Sequence, residues 1–177
     1  MRRFLILLPL LIFPVSALAQ QTPQVEIFGG YSNMAANFNA SSFDLNGANF
    51  SAQENLNSWF GGVLDFSTHF GKDNGLKTNT QTISYGPVFS YRKSKTIVPF
   101  AHAMVGVERG GTNYLGISQP EERIAVLAGG GVDLKVLPGI ALRLVQVDYV
   151  YTGFSNNRQD NMRISAGVVF NLGKKKK

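Results

Sequence analysis

No cysteine occurs in the 177 residues. Disulfides and thiolate metal sites are therefore excluded, and burial alone or a membrane must hold the fold together. Histidine is nearly as scarce, with only His69 and His102. Two isolated imidazoles among scattered carboxylates lack metal-ligand spacing, so no metal site is expected. Charge is sparse as well: Asp, Glu, Lys and Arg make up 16% of the chain, against about 25% in soluble domains. Yet beyond residue 18 no apolar run reaches the roughly 20 residues of a membrane-spanning helix. Little charge without long apolar runs means that the apolar residues are dispersed, as strand alternation disperses them.

What is present begins with a leader. Arg2 and Arg3 precede an apolar run over residues 4–18, and Ala17-Leu18-Ala19 supplies a small-residue exit. This pattern predicts a secretory signal peptide at residues 1–19 and a mature chain from Gln20. Residues 20–173 then form one domain, followed by a lysine tail at 174–177. Without Arg2, Arg3 and the tail, basic and acidic residues balance. The high pI therefore does not point to nucleic acid, and none is expected as a partner. The tail reads as solvated, or as touching anionic lipid headgroups or the cell-wall polymer.

The spacing predicts eight strands, over residues 25–34, 46–55, 59–69, 80–92, 97–108, 123–136, 140–152 and 161–172. Connections near positions 57, 94 and 138 are tight. Those near 35–45, 70–79, 109–122 and 153–161 are long and polar. Membrane barrels sort their loops in this way, with short turns on the periplasmic side and long ones outside. The faces agree. Ile83, Tyr85, Pro87, Phe89 and Tyr91 alternate with Thr82, Ser84, Gly86, Ser90 and Arg92, and the sixth and eighth strands alternate likewise. In the seventh, Arg143 has odd parity while Gln146 and Asp148 have even. A β-bulge at Leu144-Val145 would bring all three to one face; otherwise one of them sits near an interface. Arg123, Asp133, Lys135, Arg143, Asp148 and Arg163 are expected to point into the lumen and pair there, since Arg or Lys facing lipid at mid-membrane costs about 2–4 kcal/mol. Tyr31, Trp59, Tyr85, Tyr91, Tyr149 and Tyr151 are candidates for the aromatic belts.

Several stretches carry a family resemblance. They are Val25-Glu26-Ile27-Phe28-Gly29-Gly30-Tyr31, Tyr85-Gly86-Pro87, Val98-Pro99-Phe100-Ala101-His102-Ala103, Gly129-Gly130-Gly131-Val132-Asp133 and Arg163-Ile164-Ser165-Ala166-Gly167-Val168-Val169-Phe170. In this order they resemble the OmpA-like small outer-membrane β-barrel family over residues 24–172. The resemblance implies an all-β, eight-stranded, antiparallel up-and-down transmembrane barrel in the outer membrane of a Gram-negative cell envelope. It does not extend to the peptidoglycan-binding domain of two-domain members. The last strand, with Ser165, Gly167, Phe170 and Leu172, also resembles the signal read by the barrel insertion machinery. In the family that strand ends the chain, whereas here Gly173 and the lysines follow.

Enzymes on such barrels resemble small hydrolases in needing a histidine beside a nucleophilic serine and an acid. Neither His69 nor His102 shows that arrangement, so no catalytic residue is expected. Gly129-Gly130-Gly131 is no phosphate loop, because neither a helix nor a Lys-Ser/Thr pair follows. No cofactor is expected. An eight-stranded barrel is just wide enough to be filled by its own side chains. The expected function is a plugged barrel that serves envelope integrity or contacts extracellular ligands through its loops, with outer-membrane lipid around it. The alternatives are a narrow channel or binder for small hydrophobic molecules and a soluble periplasmic ligand-binding barrel.

Overall fold

The computed structural model describes residues 22–38, 41–73, 76–114, 117–154 and 157–174. The expected signal peptide and most of the lysine tail lie outside them. Eight strands follow one another: β1 (Val25–Phe38), β2 (Ser41–Asn55), β3 (Phe60–Asp73), β4 (Leu76–Ser90), β5 (Ile97–Tyr114), β6 (Ile117–Leu137), β7 (Ile140–Phe154) and β8 (Asn157–Leu172). Each pairs antiparallel with its neighbours, and β8 closes on β1. No helix occurs among the described residues.

The strands are strongly staggered. The line of paired residues from Met34 runs through Arg163, Asp148, Gly129, His102, Val88, Gly61 and Asn55, and returns at Gln24, just before β1 and ten residues below its start. Such a stagger tilts the strands by about 35–45°. Residues far apart in sequence thereby reach the same depth in the lumen.

Sorting of the faces explains why these sequences form this barrel. Ile83, Tyr85 and Phe89 of β4, Val105 and Val107 of β5, Ile124 and Val126 of β6, and Ile164 and Phe170 of β8 are all exposed. Alternating with them, Ser84, Ser90, His102, Glu108, Asp133, Arg163 and Ser165 are buried. A soluble barrel keeps its apolar face inside; here the outer face is apolar, as lipid requires. The lumen is nonetheless mixed, because Phe28, Met34, Leu45, Val63, Val88, Phe100, Met104 and Leu127 are also buried there. β7 contains the bulge. Arg143 and Gln146 are both buried, Leu144 and Val145 between them are both exposed, and the register to β8 shifts at that point.

The outer ends differ from the sequence expectation. Segments 35–45, 70–79, 109–122 and 153–161, expected as loops, are largely strand. Positions 39–40, 74–75, 115–116 and 155–156 among them lie outside the described residues. Beyond the lipid zone both faces meet water, so alternation disappears, yet backbone pairing continues from the barrel without it. Pairing also runs between hairpins: β4 stays paired with β5 up to Lys77 and Asn113, whereas β2 leaves β3 at Asn46 and Phe70. A four-stranded sheet of β3, β4, β5 and β6 therefore rises above the closed barrel. Trp59, whose parity groups it with Asp65, falls in the β2–β3 turn and is exposed, so strand parity does not govern it.

Candidate functional site: the polar plug of the lumen

Inward side chains form three layers, counted from the short-turn end, where the described residues begin and end. In the lowest, the Arg92 Nη2 donates to Glu26 Oε1 (2.5 Å) and to Asn55 Oδ1 (3.0 Å), and its Nη1 donates to the Ser58 carbonyl (3.1 Å). Asn55 Nδ2 donates to the same Glu26 oxygen (2.9 Å), and Gln53 Nε2 to Asn55 Oδ1 (2.8 Å).

The middle layer is built on Arg143. Its Nε and Nη2 donate to the two Asp133 oxygens (2.8 and 3.1 Å), a bidentate fork, and its Nη1 donates to Gln146 Oε1 (2.6 Å). The guanidinium also lies 4.4 Å from the centre of the Phe28 ring and 4.2 Å from that of Phe100. Two aromatic faces thus supplement the single carboxylate in stabilising a desolvated cation. The bulge makes this possible, since without it Arg143 and Gln146 would face opposite sides of β7.

Arg163 forms the upper layer and is fully buried. Its Nη1 donates to Asp65 Oδ1 (2.8 Å); its Nε and Nη2 lie 2.9 and 2.7 Å from Asp148 Oδ2. Asp148 also receives Gln146 Nε2 on Oδ2 (2.7 Å) and has His102 Nε2 2.7 Å from Oδ1. Asn49 Nδ2 donates to Asp65 Oδ2 (2.8 Å). Gln146 therefore bridges the middle and upper layers. Above them His69 Nε2 lies 2.8 Å from Ser32 Oγ, to which Ser165 Oγ donates (2.9 Å). Each buried ion costs several kcal/mol to desolvate, which the opposing charge and extra hydrogen bonds offset.

Of the six charged residues expected in the lumen, Asp133 meets Arg143 and Asp148 meets Arg163, in separate layers. Arg123 is half-buried opposite Glu108, and Lys135 is half-buried near the short-turn mouth. Glu26, Asp65, Arg92, His102 and Gln146 complete the plug and lie outside that set. Their parity was readable, but which of them meet across the lumen depends on the stagger. Among the four residues of the expected assembly signal, Ser165 is buried and Gly167 half-buried, whereas Phe170 and Leu172 are exposed.

On the outer face Tyr31, Trp59, Tyr85, Tyr91 and Tyr149 are exposed and Tyr151 is half-buried. Trp59 stacks on Phe89 at the short-turn end, and Lys93 lies over the Tyr91 ring (5.6 Å). Toward the other end Tyr31 donates to Asn46, and Tyr149 to Asp160 (2.5 Å). Tyr85 stands mid-strand, its hydroxyl 2.6 Å from where a Cβ on Gly62 would sit. It covers the bare backbone of β3, a role that needs no interface.

The sequence pattern described as "Outer membrane protein beta-barrel domain" matches residues 5–171. The chain belongs to this family. The outer-membrane β-barrel domain is also the fold of its structural neighbours. Neisserial surface protein A has a TM-score of 0.74 at 17% identity, covering 84% of this chain and 97% of that one. Ail, the attachment invasion locus protein of Yersinia pestis, solved in complex with the heparin analogue sucrose octasulfate, has a TM-score of 0.58 at 15% identity, covering 84% and 99%. The N-terminal β-barrel domain of Pseudomonas aeruginosa OprF has 0.54 at 10% identity, covering 85% and 100%. At these identities the likeness is one of fold. No curated sequence gives a significant match.

Proposed function

We propose that this outer-membrane barrel is a closed anchor that holds the four-stranded extension of β3–β6 outside the cell as a contact surface. The observation that carries this reading is the Asp65–Arg163–Asp148–His102 cluster, which spans the lumen from β3 to β5, β7 and β8 with every member buried. Arg143, wedged against Phe28 and Phe100 below it, blocks the same path a second time. Each strand pairs with both its neighbours, with two residue pairs missing between β4 and β5 at Gly86 and Pro87; it is the plug across the lumen that disfavours the channel reading. Both histidines are engaged inside the wall, His69 by Ser32 and His102 by Asp148, and no catalytic role is proposed for either.

The extension offers a ready edge. β6 pairs with β5 from Ile117 to Leu134 but with β7 only from Ile124 inward, among the described residues. An edge of this kind can accept a partner's extended strand. Ail shares the fold and was solved with a heparin analogue. The outer segments here carry charges of both signs, among them Asp44, Arg109, Glu122 and Asp160. That mixture favours a peptide partner over a strongly sulfated polysaccharide. Planar-bilayer recording tests the plug: the purified protein should give no stepwise conductance, and steady single-channel steps would refute the closed lumen.

A further inference from the structure

The ladder between β4 and β5 is interrupted inside the membrane zone. Pairing runs from Lys77 and Asn113 down to Tyr85 and Val105, skips Gly86 and Pro87, and resumes at Val88 and His102. The register is the same on both sides of the gap, so no residue is inserted and only the pairing is lost. We propose that this seam is the line along which the barrel wall parts locally, before any other seam does.

Two prolines cause the weakness. The Ser90 amide donates to the Trp59 carbonyl and the Tyr91 amide to the Pro99 carbonyl, both at 2.8 Å. Backbone groups of successive strand residues point to opposite sides, so even-numbered residues at this end of β4 face β3 and odd-numbered ones face β5. Pro87 therefore faces β5 opposite Ala103, and Pro99 faces β4 opposite Tyr91. Neither has an N–H to give to the ladder. One seam thus loses two donors within a short stretch. Pro120, the other proline within the described strands, lies on β6 beyond its pairing with β7.

The plug does not repair the gap. From β5, His102 reaches Asp148 at 2.7 Å and the Phe100 ring lies against Arg143, and both partners belong to β7. From β4, Ser90 Oγ accepts from Gln53 Nε2 of β2 at 3.4 Å. None of the ion pairs of the plug joins β4 to β5. The side-chain bonds that do cross are long or use sulfur: Thr82 Oγ1 to Glu108 Oε2 at 3.3 Å and Ser84 Oγ to Met104 Sδ at 3.8 Å. Local parting would also bring little charge to lipid. Behind the gap Val88, Phe100 and Met104 belong to one buried apolar cluster, and His102 beside them is held by Asp148. Outside it Tyr85, Pro87, Phe89, Ala101 and Ala103 are exposed. Parting β7 from β8 would instead expose Asp148 and Arg163, which face each other there and which hydrocarbon penalises.

Amide hydrogen exchange, read residue by residue by NMR on the mature protein in phosphatidylcholine nanodiscs, tests the proposal. Each strand carries its own control. The amides of Phe89, Ala101 and Ala103 face the seam. Those of Val88 and Ser90 face β3 at similar depth, and those of His102 and Met104 face β6, as the bond from Lys135 N to the Thr96 carbonyl fixes. The seam-facing set should exchange about tenfold faster than the others. Pro87→Ala restores a donor opposite Ala103 and should slow the seam-facing set about tenfold. Pro120→Ala should leave that set unchanged, and heat-modifiable gel mobility checks that each variant is folded. The comparison within the unmodified protein decides by itself if Pro87→Ala does not assemble. Equal exchange of the two sets, no slowing by a folded Pro87→Ala variant, or equal slowing of both sets would overturn the proposal.

Discussion

Arg163 of β8 and Asp65 of β3, 98 residues apart in the chain, meet inside the barrel at 2.8 Å from Nη1 to Oδ1. Neither strand is a neighbour of the other. The contact spans the lumen, and Asp148 holds the same guanidinium from β7, with its Oδ2 2.7 Å from Nη2.

Removing one partner of this cluster leaves the others charged and buried. Asp65→Ala should therefore destabilise the barrel by about 3–5 kcal/mol. The companion Arg163→Met should rescue part of that loss, because the double variant leaves no unpaired cation. Urea unfolding in lipid vesicles, followed by gel mobility, gives the comparison. Strict additivity of the two single changes would contradict the coupling drawn from the geometry.

Arg143 combines a bidentate carboxylate with two ring faces. Phe100→Leu removes one face while keeping an apolar side chain, and should cost about 2 kcal/mol, the scale of a desolvated cation–π contact plus some lost packing. Asp133→Asn should cost more, since it removes the countercharge itself. The same unfolding assay ranks the two, and the reverse order would show that the rings dominate.

Trp59 belongs to the β2–β3 turn and stacks on Phe89 at a centroid distance of 5.9 Å. As the single tryptophan it reports one depth. Lipids brominated near the headgroup should quench its fluorescence more strongly than lipids brominated near the chain end. Stronger quenching by the deep label would move the turn, and with it the periplasmic boundary, into the membrane.

Phe170 is exposed on the outer face, whereas Asn171 faces the short-turn mouth. Phe170→Asp should therefore reduce outer-membrane assembly in cells far more than Asn171→Asp, at equal added charge. Lipid exposure alone gives the same order, because a carboxylate is penalised on that face. Refolding of the purified variants in detergent separates the two causes, since the cellular machinery is then absent. Equal assembly in cells would show that the strand's faces or its role have been misassigned.

Alternation alone placed the strands of the membrane zone. At the short-turn ends, strands assigned from residues 25, 97 and 140 start there in the structure, and β8 ends at Leu172 in both. Lipid makes such positions readable, because a side chain meets either hydrocarbon or the lumen and each choice has its own chemistry. The bulge in β7 was legible for the same reason: three polar residues of mixed parity had to share one face. Outside the membrane zone this constraint vanishes, and the hairpin extensions, held by backbone hydrogen bonds that any side chain permits, left no mark in the pattern. The partners inside the lumen were equally hidden. Parity assigns Asp65, Arg92 and Arg163 to the interior, but only the ten-residue stagger of the closed sheet decides which of them share a depth. That stagger belongs to all eight strands together, so it is a property of the closed barrel and of no single stretch of sequence.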